Sequence, residues 1–259
     1  MILSWLFTNV LWLSLAFLIS SVIFNQRHIC GLGWALFSIH WLKQPAHYLE
    51  IGDHFNVVLT IAVAISCLYM SWRILKYRHI SPSCVWVSFA VAVGGLFYYP
   101  FVQFAALEHW LISQTAHLTY LLLGFFGFQV FAISESVLSF NGHSVQIILA
   151  CTAIQSMAFF SGLILSVRAP LGRKMVALMA SVPTIYFLNL FRNVFVIVAC
   201  GDEWFGSNSF YWAHNVVAKV GSAAALFVIA YVVLMILPEL LNMIDELFTM
   251  IRPSGGKVS

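Results

Sequence analysis

Six stretches of the chain are long and apolar enough to cross a lipid bilayer, and this feature limits the fold more than any other. A membrane-spanning helix needs about 20 largely apolar residues. Only 8% of the 259 residues are charged and 62% are hydrophobic, whereas soluble domains carry about 25% charged residues. The chain is therefore predicted to be an all-α polytopic membrane protein, a single transmembrane domain over residues 1–259. The predicted spans are 2–24, 55–72, 84–101, 151–167, 175–200 and 213–237.

The segment between the third and fourth spans is predicted to lie outside the hydrocarbon. Residues 103–127 form a helix-length stretch that is less apolar than a span, and Asn141-Gly142 between apolar runs indicates a β-hairpin. An open hairpin cannot face lipid. Residues 103–149 are therefore predicted to form an extracellular-side cap of an interfacial helix and a hairpin. If 103–127 crosses the membrane instead, the bundle has seven or eight spans.

The distribution of basic residues predicts the orientation. Short loops rich in Lys and Arg lie on the cytoplasmic side, here 73–79 and 168–174. The tail, 238–259, is predicted to be cytoplasmic as well and to begin as an amphipathic surface helix. Residues 25–56 are then outside, as a polar loop with a short interfacial helix near 36–41. The first segment lacks a basic start, so it is expected to be a retained anchor in the plasma membrane.

Polar residues inside predicted spans indicate a functional site, because ionised groups in a bilayer normally face a cavity or a partner. Arg192 lies within the fifth span, flanked by Asn189 and Asn193. His214 begins the sixth span and is followed by Asn215.

Cys151 begins the fourth span, at the same outer level as Arg192 and His214 in this orientation. Gln155 is expected one helical turn below Cys151 on the same face. Cys200 is a rival thiol, but it lies beside two acids that oppose thiolate formation. Lys219 is expected to reach the membrane surface or to pair with Asp202 or Glu203.

A thiol, a fixed cation and an imidazole together supply the parts for acyl transfer. The thiolate is the nucleophile, and histidine takes or returns a proton near neutral pH. Arginine stays protonated, so Arg192 is expected to stabilise an oxyanion or to orient a carbonyl. The first product would be a thioester of Cys151, which water or an amine then resolves.

Three blocks of sequence resemble the archaeosortase/exosortase family. They are Ala150-Cys-Thr-Ala-Ile-Gln-Ser156, Leu188-Asn-Leu-Phe-Arg-Asn193 and Ala213-His-Asn-Val216. The resemblance covers roughly residues 85–235. It implies a multi-pass archaeal enzyme whose catalytic residues match Cys151, Arg192 and His214. It also implies the substrate: an exported protein with a C-terminal sorting tail, made of a short PGF-type motif, a hydrophobic helix and a basic end. The enzyme removes the tail and joins the protein to a membrane lipid.

Other classes have weaker support. The net charge of +3 is small and scattered, so no nucleic-acid partner is expected. No HExxH motif or other metal spacing occurs, and neither a metal nor another cofactor is expected. The alternative function is a transporter or channel that uses Arg192 and Lys219 in an anion path, although no inverted repeat is evident.

Overall fold

The computed structural model describes residues 2–50, 54–76 and 81–251, and over these residues the chain is mostly helical. Part of the predicted basic loop 73–79 and the last eight residues of the predicted tail lie outside this range. The helices are α1 (Ile2–Phe24), α2 (Arg27–Leu42), α3 (Gln44–Glu50), α4 (His54–Lys76), α5 (Pro82–Gln103), α6 (Ala105–Phe125), α7 (Ile154–Ser166), α8 (Leu171–Gly201), α9 (Ala218–Ile236) and α10 (Glu239–Ile251). The strands are β1 (Phe131–Ala132), β2 (Val137–Phe140) and β3 (His143–Gln146).

Within the described residues, four helical segments are long and apolar enough to cross a membrane. They are Asn56–Lys76, Pro82–Gln103, Leu171–Gly201 and Tyr211–Ile236. They correspond to the predicted second, third, fifth and sixth spans. The predicted first span is the helix α1.

The predicted fourth span is not a membrane-length helix. Cys151 ends a short 3-10 turn (Leu149–Cys151), and α7 begins only at Ile154. The thirteen residues of α7 rise about 20 Å at 1.5 Å per residue, which is less than the roughly 30 Å hydrocarbon core of a bilayer. The apolar run predicts one helix because hydrophobicity alone does not reveal the turn at its start.

The predicted polar loop 25–56 is also different in the structure, where α2 and α3 occupy most of it. The sixteen-residue α2 buries Cys30, Trp34 and Phe37 along one face. Its two glycines let neighbouring helices approach its backbone closely. The Ser14 hydroxyl donates to the Gly33 carbonyl at 2.9 Å, and the Ser71 hydroxyl donates to the Gly31 carbonyl at 2.7 Å.

The chain divides into two compact units. One contains α1 to α4, the first part of α5 and most of α10; the other contains residues 97–164 and 168–239. All the candidate site residues belong to the second unit. In α10 the predicted amphipathic helix is present.

The predicted hairpin is confirmed and is part of a three-stranded antiparallel sheet ordered β1-β2-β3. Its turn residues Asn141 and Gly142 have φ of +50° and +83°, as a two-residue turn of type I′ requires. The sheet packs against α6 and α8 through a buried cluster: Leu123, Val130, Leu138, Phe140, Val145, Val194, Ile197, Val198 and Cys200.

Two polar contacts fasten the hairpin turn to the end of α8. Asn141 Nδ2 donates to Asp202 Oδ1 at 2.8 Å. His143 Nε2 lies 3.3 Å from Glu203 Oε1. The sheet is thereby held over the carboxyl end of α8, the helix that carries Arg192.

Candidate functional site

Cys151 lies at the end of the 3-10 turn that precedes α7, with 6% of its surface exposed. Its side chain packs in a small apolar cluster with Ala116 and Ile147. Between this turn and α7, Ala153 has a φ of +58°, a left-handed conformation that costs a non-glycine residue about 1–2 kcal/mol. Strain of this kind clusters at functional sites.

The expectation that Gln155 lies one helical turn below Cys151 on the same face was wrong. The two residues are not on one helix, because the left-handed Ala153 redirects the chain between them. Gln155 is in the first turn of α7, where its Nε2 donates to the Tyr98 hydroxyl at 2.9 Å. The sequence carries no signal that would have identified Tyr98.

Asn189 and Asn193 both hold the backbone of Cys151. Their side-chain amides donate to the Cys151 carbonyl oxygen, from Asn189 at 2.6 Å and from Asn193 at 3.0 Å. The two asparagines are four residues apart on α8, so their side chains lie on one face. Both are buried. The carbonyl therefore has both its lone pairs engaged, and the turn that carries the thiol is fixed to α8.

Arg192 and His214 are in direct contact. Arg192 Nη2 lies 3.3 Å from His214 Nε2. A guanidinium can only donate hydrogen bonds, so Nε2 must be the acceptor and the imidazole is neutral in this arrangement. Its remaining proton is then on Nδ1, which lies 3.3 Å from Asn215 Oδ1. In this tautomer Nδ1 can donate to Asn215 while Nε2 accepts from Arg192.

A π-helical segment (Tyr211–Val217) places His214. A π-helix has an i→i+5 hydrogen-bond pattern and is often found at functional sites. The His214 ring stacks on Phe210, with centroids 5.3 Å apart and planes inclined by 8°. The stacking restricts the imidazole orientation. His214 lies at the start of the predicted sixth span, but the sequence carries no signal for the π-helix.

A cavity of about 610 Å³ lies among three segments of this unit. One wall is formed by the residues around Cys151 and the start of α7, the second by α8, and the third by the start of α9. Ala150, directly before Cys151, and Ala153, two residues after it, face this cavity together with Arg192. The Cys151 side chain itself is buried behind the wall. The two charged residues of the lining are Arg192 and Lys219, both cationic, and no carboxylate is part of it.

The acids expected as partners of Lys219 are engaged elsewhere, since Asp202 and Glu203 contact the hairpin turn. Lys219 is exposed and faces the cavity. The rival thiol, Cys200, belongs to the apolar cluster beneath the sheet. In the described part of the chain, no three His, Cys, Asp or Glu side chains are grouped so that they could hold a metal ion.

Comparison with known proteins gives a consistent result. The family model described as Transmembrane exosortase (Exosortase_EpsH) matches residues 1–236. Archaeosortase A of Haloferax volcanii is 28% identical over an alignment of 265 positions, which covers 87% of this chain and 85% of that protein. Archaeosortase A of Natronomonas pharaonis is 28% identical over an alignment of 291 positions, which covers 95% of this chain and 89% of that protein. No solved structure matches the chain significantly.

Proposed function

This chain belongs to the transmembrane exosortase family, and from that premise we propose that it is a membrane-embedded cysteine transpeptidase. Its substrates are exported proteins with a C-terminal sorting tail: a short PGF-like motif, a hydrophobic helix and a basic end. The enzyme cleaves off the tail near the extracellular face of the plasma membrane and passes the protein to a membrane lipid. The supporting observation is the contact between Arg192 and His214 beside a cavity whose wall includes Ala150 and Ala153, on either side of the Cys151 turn.

The proposed first step forms a thioester. The Cys151 sulfur attacks the carbonyl carbon of the scissile peptide bond while its proton passes to His214 Nε2. The tetrahedral intermediate then collapses, the carbon–nitrogen bond breaks, and the departing amine takes the proton from His214. In the second step, a hydroxyl or amine of the acceptor loses its proton to His214 and attacks the thioester. This releases the joined product and restores the thiol.

In this mechanism Arg192 has to exchange one partner for another. In the resting arrangement its Nη2–H is directed at His214 Nε2, the atom that must accept the thiol proton. When a substrate carbonyl enters the cavity, the guanidinium turns to the developing oxyanion, which is a stronger acceptor than a neutral imidazole. The same movement frees Nε2. Substrate binding thus switches on the general base.

The thiol also has to reach the substrate. Cys151 is buried, whereas Ala150 and Ala153 face the cavity. We place the hinge for this movement at Ala153, whose left-handed backbone already stores strain. The two asparagines hold the carbonyl of Cys151 and leave its side chain able to rotate.

The experiment that tests the proposal replaces Cys151 with Ala in membranes that contain a tail-bearing reporter protein. Release of the tail should be lost, and Cys151→Ser should accumulate the uncleaved reporter as well. Cys200→Ala is the matched control, because it removes a buried thiol of the same unit that lies in the core beneath the sheet. It should retain processing. In the wild type, mass spectrometry should detect a hydroxylamine-sensitive adduct on Cys151. Full processing by Cys151→Ala would refute the proposal, and loss of processing in Cys200→Ala alone would reassign the nucleophile.

A further inference from the structure

The cavity is graded from a cationic end to an apolar end. Arg192 lies nine residues before the end of α8 at Gly201, and Lys219 lies eight residues after the start of the π-helical segment at Tyr211. Because these two segments are joined by a short connection and run antiparallel, the two cations are at a similar level.

The opposite end of the cavity is lined by apolar side chains. Ile185 lies seven residues from Arg192 along α8, about 10 Å deeper, and Ile229 lies ten residues from Lys219 along α9, about 15 Å deeper. Both line the same cavity, as does Leu226. A molecule that fills this cavity therefore has a negative group at one end and a hydrocarbon part at the other.

We propose that Lys219, with Ser222, binds the phosphate of an anionic phospholipid whose hydrocarbon chain enters the cavity between α8 and α9. Ser222 is three residues after Lys219, so the two side chains lie on the same face of α9. Both line the cavity. In a polar–apolar boundary region a lysine and a hydroxyl supply donors that a phosphate oxygen accepts. The inference rests on the proposed function, in which a membrane lipid is the acceptor, and adds the headgroup chemistry and the residue that selects it.

Charge complementarity favours the lipid over the sorting tail as the occupant of this part of the cavity. Among the described residues the lining contains two cations and no carboxylate, which attracts a phosphate, whereas the hydrophobic helix of the tail brings no negative group to pair with them. Small residues on α9, among them Gly221, Ala223 and Ala225, leave room for a hydrocarbon chain along the helix. A bound phosphate at Lys219 would also hold the headgroup beside the wall that carries Cys151, where the acceptor has to attack.

The test measures lipid binding to the full chain in detergent, without a peptide substrate. The probes are phosphatidylglycerol, the matching diacylglycerol without a phosphate, and inorganic phosphate. For each probe, the thermal unfolding midpoint of the protein and a binding isotherm are measured. Phosphatidylglycerol should stabilise the protein, whereas diacylglycerol and inorganic phosphate should not. Lys219→Gln should weaken phosphatidylglycerol binding by roughly 10- to 100-fold, the effect of losing one hydrogen bond to a charged group.

Two further variants make the result specific. Lys219→Arg keeps a cation and should retain most of the binding, which also shows that the site tolerates substitution. Arg168→Gln removes an exposed cation that is not part of the cavity lining and should bind phosphatidylglycerol like the wild type.

Several outcomes overturn the inference. They are equal binding of diacylglycerol, stabilisation by inorganic phosphate alone, and unchanged phosphatidylglycerol affinity in Lys219→Gln. A synthetic hydrophobic peptide with a basic end that binds through Lys219 in place of the lipid would overturn it as well. Since no cleavage is measured here, failure of this inference is distinct from failure of the proposed peptidase, which is decided by Cys151→Ala.

Discussion

Buried polar groups are used differently in the two compact units. Between α1, α2 and α4, hydroxyls donate to backbone carbonyls of neighbouring helices, as Ser38 does to Ala64 at 3.0 Å. Such bonds satisfy the donor and the acceptor and hold the helices together, since the hydrophobic effect drives helix association only weakly in lipid.

In the second unit, polar groups converge on one turn and one cavity. Two asparagines of α8 hold the Cys151 carbonyl, and Arg192 of the same helix is directed at His214 and faces the cavity. A permanently charged group in an apolar helix is costly. Polarity in the first unit thus joins helices, whereas polarity around α8 surrounds the site that we propose to be catalytic. Variants in the two units should therefore affect different measurements.

After loss of the Cys151 thiol itself, Arg192→Ala should have the largest effect. Removal of an oxyanion donor lowers rates by about 10²–10³, so tail release should fall by this factor at unchanged protein level. Arg192→Lys keeps the charge but loses the planar fork of donors, and should restore only part of the rate. The measurement is a time course of reporter cleavage in membranes. If Arg192→Ala cleaved the reporter at the wild-type rate, the polarity around α8 would have no catalytic role.

Replacement of the asparagines should have a smaller effect on activity. Asn189→Ala and Asn193→Ala each remove one of two donors, and we expect cleavage to fall about tenfold in each, as for one hydrogen bond. The double variant leaves a buried carbonyl without a partner, which costs about 1–3 kcal/mol. Its loss should therefore exceed the product of the single losses, as coupled sites show. Strictly independent losses would contradict a shared role in holding Cys151.

Gly33→Ala should affect stability and leave the chemistry intact. A Cβ at this position would lie 2.9 Å from Leu18 Cδ2 and 3.1 Å from the Leu18 backbone nitrogen, so we expect a loss of about 1–3 kcal/mol of stability from overpacking. Cleavage per folded molecule should be unchanged. Gly172→Ala is the control, since nothing lies within 4 Å of its Cβ position. Thermal unfolding in detergent measures the difference. A Gly33→Ala protein with normal stability but impaired cleavage would contradict a purely structural role of the first unit.

The smallest expected effect is a pH dependence at the start of α10. A hydrogen bond from Arg173 lowers the pKa of Glu239, and Arg173 Nη1 donates to Glu239 Oε2 at 3.1 Å. Because the pKa of Glu239 is depressed in the folded state, the ion pair stabilises the fold above the ordinary carboxyl pKa. This stabilisation is lost as the pH falls through the depressed value. Unfolding midpoints between pH 3 and pH 6 should show a slightly weaker acid sensitivity in Glu239→Gln. Identical profiles would show that the ion pair is energetically neutral, as many exposed pairs are.

The sequence by itself determined the membrane class, the hairpin and the residues to examine. Each of these depends on local information: apolar runs, the Asn-Gly pair that favours positive φ, and polar side chains where lipid excludes them. The three blocks around Cys151, Arg192 and His214 also carried the family assignment, because residue identity and order are properties of the sequence.

Only the tertiary structure decided how these residues are arranged. Hydropathy could not separate the 3-10 turn at Cys151 from α7, because the left-handed Ala153 is an alanine and carries no turn signal. The histidine-rich segment after α1 looked like a loop, since its burial depends on contacts with α1 and α4 that are distant in sequence. The amides that hold the Cys151 carbonyl and the contact between Arg192 and His214 join residues 22 to 42 positions apart. Such contacts are properties of packing, which no local pattern specifies.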